Sequence, residues 1–343
     1  MYRMVGGINM RVVDMHCDTI LGLLDKELNQ KDSDLLSNDL SIDLKKLKKG
    51  NYLLQNFALF TDQEALPITE QQTMRLYDKY CREMDKYQEY IRPVLKYSDI
   101  EENDKAGKLS SLLTLEDGGV VFNDLAMLRN YYRMGVRMIA LTWNYPNGIG
   151  YPNLSMKDMD GDKPNYYRNV DTQRGLTEFG ISYVQEMERL GMIIDVSHLN
   201  DAGFYDILKY TTKPFVASHS NARSVCGVAR NMSDDMILKL AQRGGVMGLN
   251  FCGSFLGNHD EYSDHPSLIE DMVKHILYIK NLAGIDVIGL GTDFDGISSR
   301  LEIKDAAHMY LLEDALRKAG LTEEEIEKVF YKNVLRVYKE VLK

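Results

Sequence analysis

The sequence predicts an α/β chain closed as a (β/α)8 TIM barrel, and three observations carry that prediction. Eight apolar runs of strand length punctuate the 343 residues. Helical patterns lie between most of them, which favours a parallel sheet, and eight such units favour closure over an open sheet. No Gly-x-Gly-x-x-Gly or P-loop pattern follows the first run, where a doubly wound nucleotide fold would often place one.

Taken in order, the first run, Val12 to Asp14, is rich in β-branched residues and opens onto Met15-His16-Cys17-Asp18. The second, Leu53 to Phe60, precedes a long helical pattern from Ile68 to Ile91, in which Met74, Tyr77, Cys81 and Met84 recur at three- and four-residue spacing and mark one buried face. Leu112 to Leu115 and Val136 to Leu141 flank a helix expected over Asp124 to Met134. Met192 to Val196 follows a helix over Thr177 to Leu190, and Phe215 to Ser218 follows one over Asp201 to Lys209. Val246 to Asn250 follows Ser233 to Arg243, whose serine and two aspartates suit a helix start. Val287 to Leu290 follows Pro266 to Ala283, and Asp305 to Ala319 leads to two short C-terminal helices expected from Thr322. Gly135, Gly191, Gly244, Gly284 and Gly320 each end a helical pattern, as a left-handed C-terminal cap requires. With no repeat or linker, residues 1–343 read as a single domain, in which Met1 to Asn9 form a dispensable or disordered extension before an alternative start at Met10.

Composition narrows the partners. Hydrophobic residues make up 44% and charged residues 27%, ordinary values for a globular protein. Acidic residues outnumber basic ones by 51 to 41, for a net charge of -10, which speaks against nucleic acid because phosphate backbones recruit clustered Lys and Arg. No apolar run reaches the length of a membrane span, and the N-terminus lacks the apolar core of a signal peptide, so a cytoplasmic protein is expected. Cys17, Cys81, Cys226 and Cys252 form no Cys-x-x-Cys pair and read as reduced thiols, Cys17 as packing.

In a barrel, chemistry belongs at the C-terminal ends of the strands. Those ends deliver His16 and Asp18 after the first run, Glu116 after the third, His198 after the fifth, His219 after the sixth, and Asp293 and Asp295 after the eighth. Imidazole and carboxylate are zinc ligands, yet three histidines with several carboxylates exceed the three protein ligands of one catalytic zinc. Two metals bridged by a carboxylate and a water suit the set better, with Glu116 as the natural bridge, because a carboxylate offers one oxygen to each ion. A metal pair of this kind generates a bridging hydroxide and polarises a carbonyl, as amide hydrolysis requires. A further carboxylate must move protons; Asp293 is preferred, with Asp295 of the same parity as a competitor. The run from Asn258 to His265 reads as a solvated acidic loop ahead of a helix start at Pro266, and His275 and His308 as ordinary helix residues.

At these residues the chain resembles the membrane (renal) dipeptidase family of zinc metallopeptidases, within the amidohydrolase-like barrels. The similarity runs through Asp14-Met15-His16-Cys17-Asp18, Leu115-Glu116-Asp117-Gly118-Gly119, Asp195-Val196-Ser197-His198, Ser218-His219-Ser220-Asn221-Ala222, Arg230-Asn231, Gly291-Thr292-Asp293-Phe294-Asp295-Gly296 and Asn333-Val334-Leu335-Arg336. The resemblance implies two Zn2+ ions per chain: His16 and Asp18 on one, His198 and His219 on the other, and Glu116 bridging. It implies that Arg230 receives the carboxylate of a small dipeptide, that Asp293 serves in proton transfer, and that the chain forms a homodimer. Hydrolysis of another small amide, such as an N-acyl amino acid, and a metal-binding homologue without turnover are the alternatives.

Two departures bear on substrate. Where the family has Leu-Thr-His, this chain reads Leu141-Thr142-Trp143-Asn144, so either Asn144 donates to the scissile carbonyl or Trp143 forms a pocket wall. Phe255 stands where the mammalian enzyme has tyrosine. The irregular stretch from Asn144 to Arg174 is long enough for a lid or a wall.

Overall fold

The computed structural model describes residues 10–64, 69–156, 166–257 and 265–343. Among the described residues nine parallel strands are present: β1 (Val12–Asp14), β2 (Tyr52–Phe60), β3 (Ile91–Pro93), β4 (Leu109–Glu116), β5 (Val136–Ala140), β6 (Ile193–Asp195), β7 (Val216–Ala217), β8 (Val246–Leu249) and β9 (Ile288–Leu290). Eight of them close on themselves, because β2 pairs with both β1 and β4, and β9 pairs with β1. The result is a (β/α)8 barrel. The ninth strand, β3, lies outside the ring and pairs only with Leu109–Ser111 at the start of β4.

All eight expected strands are present, within three residues at each end. Their apolar runs are continuous because barrel strands are buried on both faces. The helix expected from Ile68 to Ile91 is a correction: it ends at Lys86, and the chain then turns into β3, where only Ile91 is buried. Helices over Thr19–Leu28, Leu44–Lys49 and Tyr97–Lys105 were not read from the sequence. The C-terminal segment is also corrected. It is one helical run from Glu323 to Val341, interrupted by a π-type turn over Lys328–Lys332, rather than two separate short helices. Gly191 closes the helix Glu178–Leu190 in the left-handed conformation at φ 78°, as its position predicts. Ser233 caps Asp234–Gln242 by accepting from Met236 N at 3.3 Å. Residues 1–9, and 258–264 of the run expected to be an acidic loop, lie outside the described residues.

Most of the core lies between barrel and helices, but a second apolar cluster fills the barrel itself. Met15, Leu54, Leu112 and Val216 share it with Val337 and Tyr338 of the C-terminal helix. That helix is tied in by Asn56 Nδ2, which donates to Tyr338 Oη at 2.7 Å. The C-terminal ends of the strands are left for polar groups. Two strand-terminal aspartates staple those ends together. Asp14 accepts from His16 N, Thr292 N and Thr292 Oγ1, joining β1 to the segment after β9. Asp195 accepts from Ser197 N, Ser218 N and both serine hydroxyls, joining β6 to β7.

His275, on the helix Ile269–Ala283, is fully buried. Its Nδ1 accepts from Ala222 N at 3.1 Å, and its Nε2 donates to Leu256 O at 3.0 Å, so the neutral ring braces the loop after β7. Burial depresses its pKa to about 4. The unfolded state therefore binds a proton that the folded state refuses, and stability falls as pH drops from the unfolded value near 6.5 toward 4. A loss of about 3 kcal/mol is expected across that window. Urea unfolding at pH 7 and pH 4.5 checks this: His275→Gln, which donates and accepts without titrating, should lose less stability than the wild type between the two pH values.

Candidate metal centre

The strand ends place the expected ligands in one cluster. Asp18 ends the segment after β1 and starts the helix Thr19–Leu28, Glu116 is the last residue of β4, and His198 and His219 follow β6 and β7. All are buried. Glu116 stands between the two halves. Its Oε2 lies 3.4 Å from His16 Nε2, while its Oε1 lies 3.0 Å from His198 Nε2 and 3.7 Å from His219 Nε2. On the first side, His16 Nε2 is also 3.3 Å from Asp18 Oδ2 and 3.9 Å from Asp293 Oδ1. On the second, His198 Nε2 and His219 Nε2 are 3.0 Å apart.

Hydrogen bonding fixes what these atoms can do. Ser218 Oγ–H donates to Asp195, so its oxygen accepts from His219 Nδ1–H at 2.7 Å. His219 Nε2 is then a bare lone pair. It faces His198 Nε2 and Glu116 Oε1, so a lone pair and a carboxylate oxygen converge there with His198 Nε2 as the one side-chain atom among the described residues able to donate to them. On the other side, His16 Nε2 and Asp18 Oδ1 are buried without hydrogen-bond partners.

Electrostatics agree. Burial, followed by the Glu116 charge, pushes Asp18 up to about 6. Burial, with Asp18 and Glu116 added and His16 opposing, pushes Asp293 up to about 7. Burial opposes charge on His16, yet Glu116 and Asp18 hold its pKa well above the usual histidine value. Burial and then Arg230 depress His198 to about 4, and burial, His16 and Arg230 hold His219 well below the ordinary range. A buried group of carboxylates short of positive charge beside two neutral imidazoles is the environment a divalent cation stabilises. Donor atoms of His16, Glu116 and His219, and of His16, Asp18 and Asp293, each lie within 4.8 Å of one another. The donor set fits a metal.

A cavity of about 510 Å³ opens over the cluster, with Asp18, Glu116, His198 and Asp293 at its polar end and Phe60, Trp143, Tyr166 and Phe255 among its walls. That volume is in the range of small-molecule sites. Trp143 is a wall residue, packed edge-on to Phe60 at 4.8 Å and tilted against Tyr145 at 5.6 Å. The Asn144 side chain is directed to His198, with Oδ1 at 3.0 Å from Nδ1. Arg230 is fully buried and does not line the cavity. It sits beside Phe255, whose ring is 5.5 Å from the guanidinium carbon. Its Nη1 donates to Ser220 Oγ at 2.8 Å and its Nη2 to His219 O at 2.9 Å, while Nε is buried without a partner.

The two competing aspartates separate cleanly. Asp295 accepts from Thr19 Oγ1 and Ser41 N, both at 2.7 Å, and so anchors the rim. Asp293 is held by Asn250 Nδ2 at 2.9 Å and faces His16. Both adopt left-handed backbone, φ 62° and 68°, uncommon for a residue with a Cβ and frequent at functional turns. A methyl group on Gly296 would collide with Asp18 Oδ2 and crowd Asp293, which accounts for glycine at the end of this turn. Asp14, Asp195, Ser218 and Asn250 position the site without having been assigned from sequence. The repeated aspartate at the ends of β1 and β6 was the available signal.

A closed parallel barrel whose strand ends gather three imidazoles and three carboxylates under one cavity defines a metal-dependent barrel hydrolase. The comparisons narrow the class. A family model for membrane dipeptidases, peptidase family M19, matches residues 8–343, and the chain belongs to that family. A Klebsiella pneumoniae protein, an uncharacterised product of the pqqA 5′ region, is 35% identical over 251 residues, covering 73% of this chain and 89% of its own. An uncharacterised dipeptidase of Schizosaccharomyces pombe is 34% identical over 302 residues, 85% of this chain, which spans 66% of that longer protein. The crystal structure of dipeptidase AC, a metallo peptidase of family M19, matches with a TM-score of 0.86 at 25% identity, over 97% of this chain and 99% of that one. Among the described residues, no helix is long and apolar enough to cross a membrane.

Proposed function

We propose that the chain is a binuclear zinc dipeptidase acting on small dipeptides with a free C-terminal carboxylate. The single observation that carries the reading is Glu116, whose two oxygens face His16 on one side and His198 with His219 on the other. His16 and Asp18 would hold one zinc, His198 and His219 the second, with Glu116 shared. When bound, such a pair supplies Lewis acidity at a carbonyl and brings the pKa of water toward neutrality.

The chain's own residues supply the rest. Asp293, its Oδ2 fixed by Asn250, is the carboxyl group left to carry a proton to the leaving amine. Phe60 and Trp143 wall the cavity, exclude water and face the apolar parts of a substrate. Arg230 is a buried cation whose Nε has no partner, and an anionic group brought up to Nε would gain a charge-assisted hydrogen bond. Phe255, between the cavity and that guanidinium, is the side chain that a carboxylate must displace or skirt. Free thiols at Cys17, Cys81, Cys226 and Cys252 support a reducing compartment such as the cytoplasm. A homodimer is proposed from the family resemblance.

The test is a comparison of free dipeptides with C-terminally amidated dipeptides and N-acyl amino acids on the zinc-loaded protein. Amidation is expected to lower kcat/KM by roughly 100-fold or more, the scale on which an unpaired buried charge weakens a complex. Equal turnover of free and amidated dipeptides, or faster turnover of N-acyl amino acids, would sink this substrate assignment.

A further inference from the structure

We infer that Asn144 is a positioning residue for His198: its side-chain oxygen holds the imidazole in the Nδ1–H tautomer and so presents the Nε2 lone pair to the metal centre. The inference rests on the zinc reading above, because a bound cation is what calls on the lone pair of His198 Nε2.

The geometry gives each histidine of the pair its own partner. His219 Nδ1–H is received by Ser218, which relays to Asp195. His198 has no such carboxylate relay; its Nδ1 meets the Asn144 side chain at 3.0 Å, 54 residues away in sequence. His198 Nε2 faces the Glu116 oxygen and the His219 lone pair; without a cation it would donate its own proton to one of them, and with a cation among the three it must offer its lone pair. The proton then sits on Nδ1 and needs an acceptor. The amide must turn Oδ1, not its NH2, toward the ring.

The surrounding chain is built to hold that arrangement. Asn144 O accepts from Met156 N at 3.0 Å, and Asn153 N donates to His198 O at 2.8 Å. Asn153 Nδ2 reaches Ser197 O at 3.1 Å, and Asn200 N reaches Tyr151 O at 3.0 Å. The described part of the long segment after β5 is thus latched to both sides of His198. Trp143, wedged on Phe60, sets the entry to the latch. The residue pair Trp143-Asn144 divides its work: the indole builds the wall, and the amide orients a ligand. A partner that fixes the orientation of a ligating histidine is worth about 10- to 100-fold in metal affinity.

The experiment uses the full chain with Asn144→Leu, which keeps shape and removes the acceptor, and Asn144→Asp, which keeps an acceptor and removes the amide donor. In zinc-loaded protein labelled with 15N-histidine, the His198 Nδ1–H proton, assigned with His198→Gln, should be protected from solvent exchange in wild type and Asn144→Asp, and exchange rapidly in Asn144→Leu. Competition of Zn2+ against a chromophoric chelator should weaken about 10- to 100-fold for one of the two ions in Asn144→Leu. It should stay near wild type in Asn144→Asp, which also keeps most of its turnover at saturating zinc. A wild-type His198 Nδ1–H that exchanges as fast as in Asn144→Leu, or an Asn144→Asp variant as impaired as Asn144→Leu, overturns the inference; the latter would make Asn144 a donor to substrate. A wild type that binds no zinc would instead overturn the binuclear reading, and the inference with it.

Discussion

Replacing Glu116 with alanine is expected to strip zinc from both positions at once and to lower dipeptide hydrolysis by roughly 10⁴-fold, the scale seen when one member of a catalytic unit is lost. The side chain is the last of β4, in register with Phe60 of β2 and Ala140 of β5, so the strand pairing fixes its position. From there Oε2 reaches toward His16 and Oε1 toward His198 and His219. Alanine leaves His198 and His219 without the oxygen they share, and leaves His16 with the Asp18 and Asp293 carboxylates. A ligand belonging to one position alone would, on removal, spare the other ion. Metal analysis of dialysed Glu116→Ala against wild type separates the two cases, with circular dichroism to check that the fold is kept.

The second large effect belongs to Asp293. Asp293→Asn should retain two zinc ions per chain while kcat falls by about 10² to 10⁴, the range for loss of a general acid or base. Asparagine keeps one oxygen to accept from the Asn250 amide, places an NH2 where Oδ1 faced His16, and carries no ionisable proton. KM should move much less than kcat, because Asp293 acts on the leaving amine rather than on the carboxylate near Arg230. Steady-state kinetics at saturating zinc read the split. A fall in zinc content that parallels the fall in rate would make Asp293 a ligand instead, as its distance to His16 and Asp18 permits.

What was legible in the sequence follows from what is local. Barrel strands such as Tyr52–Phe60 and Leu109–Glu116 are buried nearly throughout, so they stand out as apolar runs. His16, Asp18, Glu116, His198, His219 and Asp293 could be collected because each directly follows or ends such a run. Ile91–Pro93 was missed because three residues with two exposed carry no alternation, and the amphipathic pattern before them ran on without a glycine stop. Leu44–Lys49 was missed because four lysines in six residues read as solvated loop, although Leu44 and Leu47 are buried. The positioning residues were the harder case. Asp14, Asp195 and Asn250 act through hydrogen bonds to neighbouring strands, and Asn144 acts on a histidine that only the closed barrel brings beside it. No spacing along the chain encodes such pairings.

Titrating zinc into metal-free protein while following hydrolysis of a free dipeptide is the most direct measurement. Turnover should be absent without metal and reach its plateau at two equivalents per chain, with chelation reversing it. A plateau at one equivalent, turnover that survives complete removal of metal, or two bound ions with no dipeptide hydrolysed would contradict the binuclear dipeptidase reading.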